Sequence, residues 1–447
     1  MRTTARTLLA ASIGMIMAAG TTQVMAQGFA LYEPDVATMG TAYAGAAAST
    51  ENATVVASNP AAMSRLDKIN VSAGNTLILA KSDIKDPIGT VPGTNKGDMV
   101  PRILTGDAFM TVPHVFLDNL AVGLGIYAPF GLKTNYENTF QGRTFGDKST
   151  VIVTSLQPSI SYNFTPIFSL GAGLNINHIE GVLTNGVVPG DLTTTQELKG
   201  SDNAFGYTVG ALLTPTPQIN LGLTYHSKVD YTLHGSAQLE NVPVTGVPGV
   251  TFNAGTRANL DLTTPDSLEL AGVFKVAPTL DLKASVTRTR WSSIKQLSPS
   301  TQFTADGITT SPVLAGALGA QVNAGILNTL NSSSSGEVLN LKDSNMYSIG
   351  ADWQACEKLK LRLGFGYDES PVQKQYRNVR LPVANRTIYA VGANYAFTKN
   401  LDMDIAYNYL REANANINRA SATQGVYQAN YQNSGHLIGA QLNYRWW

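Results

Sequence analysis

Through most of the chain, apolar residues alternate with polar or small ones for one short stretch after another, with a turn between stretches. The segment from Ile219 to Leu233 shows the pattern well. Ile219, Leu221, Leu223, Tyr225, Val229, Tyr231 and Leu233 share one parity, and Asn220, Thr224, His226, Lys228, Asp230 and Thr232 share the other. Successive side chains of a strand point to opposite faces, so the spacing predicts a strand with one oily and one wet face. Phe168–Ile176, Leu359–Tyr367 and Leu401–Tyr409 repeat it. A soluble barrel turns its apolar face inward; a transmembrane barrel turns it to lipid and lines its lumen with the polar face. Charged residues recur on the polar parity, which a lumen explains.

Fourteen segments qualify as strands: 69–82, 99–116, 119–134, 149–164, 167–181, 203–214, 218–235, 256–276, 279–296, 341–354, 358–369, 385–397, 400–412 and 434–447. An even number suits a closed antiparallel barrel, and closure is needed because lipid offers no partner to a free strand edge. The connections alternate in length. Short ones such as 165–166, 215–217 and 399–400 are interleaved with long ones at 83–98, 135–148, 182–202, 236–255, 297–340, 370–384 and 413–433. Outer-membrane barrels have short periplasmic turns and long outer loops. The final strand alternates Ile438, Ala440, Leu442, Tyr444 and Trp446 to the chain end, as in substrates of the β-barrel assembly machinery. The expected fold is therefore an all-β, 14-stranded antiparallel transmembrane barrel spanning residues 67–447, in the cell outer membrane.

Residues 1–26 read as a cleaved secretory signal: Arg2 and Arg6, an apolar stretch from Leu8 to Ala19, and small residues at Val24 and Ala26 before the cut. Residues 27–66 lack the two-residue period and are rich in Ala, Gly, Ser and Thr. That composition predicts a compact plug, or hatch, filling the wide lumen. The formal charge is balanced, which argues against a nucleic-acid partner. The five histidines show no metal-ligand spacing and no Gly-x-Ser-x-Gly occurs, so neither metal, cofactor nor enzyme is expected. The single Cys356 reads as a reduced bystander.

Several motifs carry a resemblance. Gly28-Phe29-Ala30-Leu31-Tyr32, Gly40-Thr41-Ala42-Tyr43-Ala44-Gly45, Asn59-Pro60-Ala61, Leu262-Thr263-Thr264-Pro265-Asp266-Ser267-Leu268-Glu269, Thr289-Arg290-Trp291-Ser292 and Asp368-Glu369-Ser370-Pro371-Val372 occur in this order. They resemble the long-chain fatty acid transporter family of Gram-negative outer membranes (OMPP1/FadL/TodX). The resemblance implies passive uptake of a hydrophobic small molecule, most often a long-chain fatty acid. Capture at outer loops would be followed by an apolar lumen site and lateral exit into outer-membrane lipid.

Candidate residues follow. In the third strand Pro129-Phe130-Gly131 interrupts the alternation, and Pro cannot donate to a strand ladder. By resemblance these three form a gate with Asn59, Pro60 and Ala61 of the hatch as partners, and Gly28 and Phe29 belong to the same hatch. For a carboxylate head group the candidates are Lys342, which matches a family position, and Lys360 and Arg362, inward by parity. A second basic family position is absent, which keeps a channel for aromatic or other neutral hydrocarbons as the alternative. A general porin or an outer-membrane hydrolase fits the sequence less well. In the 297–340 loop, Leu314, Leu318, Val322 and Ile326 recur at helical spacing and are candidates for cargo capture, or for packing against the loop's own core.

Overall fold

The computed structural model describes residues 29–32, 34–244, 247–310, 317–332 and 336–446. The wall consists of β1 (Ile69–Gly89), β2 (Ile103–Val112), β3 (Leu120–Asn135), β4 (Lys148–Thr165), β5 (Phe168–Asn185), β6 (Thr195–Thr216), β7 (Ile219–His226), β8 (Ser267–Ala277), β9 (Leu280–Thr289), β10 (Ser344–Cys356), β11 (Leu359–Asp368), β12 (Arg386–Ala396), β13 (Leu401–Glu412) and β14 (Gly425–Trp446). Each strand pairs antiparallel with its neighbours, and β14 closes the ring on β1 from Ile69↔Trp446 to Gly89↔Tyr427. The expected closed 14-stranded antiparallel barrel is what the chain forms.

Leu170, Leu174, Leu223, Leu270, Ile349 and Leu363 lie exposed on the outer face. An apolar surface this continuous needs lipid against it. Aromatic side chains flank the belt. Trp353, Tyr395, Phe397 and Tyr444 lie toward the short turns, and Tyr389, Tyr409 and His436 toward the long loops, as at membrane–water interfaces.

Two predicted strands, 218–235 and 256–276, are not continuous. β7 stops at His226 and the chain restarts as Val229–Pro243; Thr251–Thr264 precedes β8, with Pro265 and Asp266 between. These two outer strands pair with each other, and the first also continues the ladder of β6 from Thr195↔Glu240 to Ser201↔His234. Together they make a collar above the long-loop rim.

The break inverts the faces. Leu223 is 44% exposed, whereas Leu233, at the same parity, is 3% exposed and packs inward with Val153, Ile179 and Leu262. β4 and β5 invert at the same level without a break. The inward pair Ser155↔Asn177 is followed by the inward pair Val153↔Ile179, while outward Ile176 gives way to His178. Below this level the outer neighbour is lipid and above it is water, so the hydrophobic effect acts in opposite directions on one strand.

Residues 29–66 lie inside the wall as two short helices, α1 (Val36–Met39) and α2 (Val55–Ser58), with 3-10 turns at Ala46–Ala48 and Pro60–Arg65. The plug backbone touches wall glycines directly. A Cβ on Gly210 would lie 1.9 Å from Asn59 Oδ1, and one on Gly222 would lie 1.9 Å from Ala47 O. Small plug residues and wall glycines together permit this approach.

The inversion is testable. Leu223→Arg is expected to destabilise the folded barrel by roughly 2 kcal/mol or more. Gln238→Arg, on the outward face of the collar, should change stability by no more than about 0.5 kcal/mol. Denaturant unfolding in lipid vesicles checks both, and equal losses would contradict the assigned membrane level.

Candidate functional site

β3 follows β4 as far as Asn135, with a register shift between Tyr127 and Phe130. It follows β2 only from Val112↔Val122 to Ala108↔Ile126. The rest of β2, Ile103 to Asp107, pairs with β1 alone. Pro129 has no N–H to give to a ladder, and the extra residue at the shift bends the strand. The wall therefore parts between β2 and β3 above Ile126.

The start of the plug takes up the freed edge of β3. Leu31 N–H donates to Pro129 O at 2.9 Å and Gly131 N–H donates to Phe29 O at 2.7 Å, with Ala30 opposite Phe130. Phe29 packs against Phe130 and Trp291 with ring centroids 5.7 and 5.0 Å apart. Gly28 lies outside the described residues. Pro129, Phe130 and Gly131 thus sit at a real irregularity facing Phe29.

Asn59, Pro60 and Ala61 do not meet the bulge. Asn59 Nδ2 donates to Ala47 O at 2.6 Å and to Ala211 O at 3.0 Å, and the Ser161 and Ser169 hydroxyls donate to Ala61 O. They seat the plug on β4, β5 and β6. The physical reason is that a free strand edge needs an extended partner. Asn59 instead caps the turn that begins at Pro60.

Two cavities meet at the Phe29–Leu31 segment. The upper one encloses about 840 Å³, its open mouth included. It lies within the collar and is lined by Leu132, Val151, Leu183, Leu233, Leu262 and Ile294, with Phe29 among its walls. The inversion of faces is what makes it apolar. Lys199 and Arg380 also line it. Arg380 spends its donors on Lys148 O, Ser149 Oγ and Thr184 O, and lies 3.3 Å from Glu337. Burial pushes the Arg380 guanidinium below its ordinary value and the Glu337 carboxyl above its own, and their mutual attraction opposes both. The lower cavity, about 1240 Å³ with its open part, lies between plug and wall and is bordered by Ala30, Leu31, Pro129 and Phe130. Tyr127 and Asn175 on its wall are hydrogen-bonded to Gln157 and Thr208 beside it, and Gln157 Nε2 donates to Val56 O of the plug at 2.6 Å.

The basic candidates separate. Lys342 is exposed and precedes β10, so its parity does not place it in the lumen. Lys360 and Arg362 do face inward, yet they line neither cavity. Both hold Glu51 of the plug, at 3.3 and 2.8 Å, and Lys283 holds it at 3.0 Å. Lys283 also reaches Asp352 at 2.8 Å, and Arg362 reaches Asp404. Charges this buried must be paired, and the plug supplies the shared acid. Sequence reasoning missed Glu51, although inward cations on β9 and β11 call for an acid facing them.

The loop helix is present as α3 (Ala317–Ser332). Ile326 is buried, and it and Val322 pack with Leu239, Phe252, Phe303 and Ile308 of the collar region. Leu314 and the side chain of Leu318 lie outside the described residues. The described apolar face of the helix therefore covers the collar's own core instead of facing outward for capture, because that core would otherwise meet water.

Glu51→Gln should leave three cations around a neutral group and loosen the plug by about 3–5 kcal/mol, as breaking a buried pair does. In planar bilayers the variant is expected to show frequent ion-conducting openings, with Glu51→Asp closer to wild type. Equal conductance in all three would remove Glu51 from the plug's anchorage.

Residues 17–446 match the family described as outer membrane protein transport protein (OMPP1/FadL/TodX). The chain is 28% identical to outer membrane protein P1 of Haemophilus influenzae, over 96% of this chain and 97% of that one. It is 25% identical to the long-chain fatty acid transport protein of Escherichia coli K12, over 98% of each. A crystal structure of a Pseudomonas aeruginosa FadL homologue superposes with a TM-score of 0.78 at 20% identity, covering 93% of this chain and 99% of that one.

Proposed function

The chain belongs to the OMPP1/FadL/TodX family of outer-membrane transport proteins, and from that premise we propose that it passes long-chain fatty acids from the outer rim into the membrane through the parting between β2 and β3. The family's members are channels for hydrophobic substrates. The observation that carries the finer reading is the edge of β3 left by β2 and taken up by a segment of the plug.

An acyl chain gains roughly 0.8 kcal/mol for each CH₂ it buries, and the collar cavity is lined for that purpose. Lys199, at its edge, is exposed and shares the outward parity of Phe205 and Tyr207. Phe29–Leu31 stands between this cavity and the lower one and is held on β3 by two backbone hydrogen bonds. Each is worth about 1 kcal/mol net, and the buried Phe29 ring against Phe130 and Trp291 adds roughly 1.5–3 kcal/mol, a hold that burial of a long acyl chain exceeds. The lower cavity then borders the bulge, beyond which lie the parted strands and lipid. Partition into the apolar cavity and then into lipid drives the passage.

The alternative cargo is an aromatic or other neutral hydrocarbon. The engagement of every Arg380 donor within the protein favours it, since a carboxylate would find no free guanidinium there.

Ala30 and Phe130 form a non-hydrogen-bonded antiparallel pair, whose Cα separation suits a disulfide. In a Cys356→Ser background, oxidised Ala30→Cys/Phe130→Cys protein should take up labelled oleate at least about tenfold more slowly than the same protein after reduction, a loss of about 1.4 kcal/mol or more in rate terms. Uptake independent of the cross-link would refute the moving segment. Uptake of an alkylbenzene but not oleate would select the second cargo.

A further inference from the structure

The lower cavity has a chemical character that its place on the route makes consequential. No Lys or Arg is among its lining residues, whereas Asp35 and Glu269 both are. Asp35 Oδ1 caps α1 through Ala37 N–H at 3.1 Å, while the buried Oδ2 has no hydrogen-bond partner. Glu269 Oε1 accepts from Ala47 N–H at 3.1 Å, and no ion pair of Glu269 occurs among the described residues. The other titratable groups on the cavity are Tyr32 and Tyr43 of the plug, Tyr127 of β3 and His226 of β7, whose Nδ1 lies 3.1 Å from Thr208 Oγ1. β9 and β10 contribute Ser285, Thr287, Thr289, Met346 and Ser348, none of them a cation. The nearby cations are committed elsewhere: Lys283 to Glu51 and Asp352, Arg386 to Asp368, and Arg362, the cation acting on Asp35, to Glu51 and to Asp404, whose carboxylate also faces Asp35.

We propose that Asp35 and Glu269 make this cavity a charge filter, which admits uncharged amphiphiles and turns back carboxylates. The filter rests on the route proposed above. A carboxylate entering here would leave its hydration for a confined space with two acids and no cation, which raises its free energy on both counts. A protonated acid or an alcohol has an O–H to donate to the open carboxylate oxygen, and an aromatic hydrocarbon needs no partner. A fatty acid would therefore bind in the collar as an anion or acid and pass Phe29 only as the neutral acid, carrying in a proton taken from the outer medium. Fatty acids and neutral hydrocarbons then become one substrate class at this step.

The test uses the purified full chain in vesicles, with protein-free vesicles subtracted, and follows influx of oleic acid and oleyl alcohol at about pH 5.5 and about pH 8. A carboxylic acid loses its neutral form up to tenfold per pH unit above its pKa. Protein-dependent influx of the acid should fall at least about fivefold across this range, while that of the alcohol stays level. In Asp35→Asn/Glu269→Gln the fall should shrink to less than about twofold. Asparagine preserves the helix cap, and resistance to SDS without heating verifies the folded barrel. Should the double variant not fold, Glu269→Gln alone is expected to shift the acid's pH profile in the same direction. If the alcohol enters but acid influx has the same pH profile in wild type and variant, the filter is wrong and the route stands. If neither lipid enters faster than in protein-free vesicles, the route itself is wrong and the filter falls with it.

Discussion

Backbone amides and carbonyls in hydrocarbon have only each other to bond with, and the architecture follows from that. It forces the strands into a ring, makes β14 meet β1, and leaves a free edge intolerable. At one place the ring departs from the rule. Above Ile126 the edge of β3 loses β2, and the protein supplies Phe29–Leu31 from inside in its stead. That substitute strand belongs to the plug and lies outside the ring of wall strands. The opening is thus specified by which partner satisfies a few peptide groups.

The same economy governs the plug. Its composition is rich in small residues, so its own core is slight, and it depends on the wall for support. Glycines bring the wall within backbone contact, and Glu51 ties it to cations of β9 and β11. The anchorage sits on the side and level away from β3. One end of the plug is held by buried charge, and the other by two amide hydrogen bonds and the packing of Phe29 on Phe130 and Trp291.

Much of the wall was legible in the sequence because alternation is a direct imprint of two media on a pleated chain. What alternation does not reveal is which medium lies where. Leu223 and Leu233 carry the same parity, yet one meets lipid and the other the collar interior, and only Pro265 hinted at the change. Parity also misled beyond strand ends: Lys342 lies just before β10, where the two-residue period no longer fixes direction. The bulge at Pro129 was readable from its missing donor. Its partner was not, because Asn59-Pro60-Ala61 was assigned by resemblance, whereas the edge selects for extended backbone at Phe29–Leu31. Glu51 and Glu269 were hidden for a common reason, since each draws its meaning from residues hundreds of positions away in the chain.

The inversion of faces has an evolutionary corollary. On β4 and β5 the positions that line the collar cavity and those that face lipid are different residues of one continuous ladder, stacked at separate heights. Substitutions can therefore recontour the collar's interior without touching the belt that faces lipid. One scaffold can in this way diversify its diet without relearning how to insert.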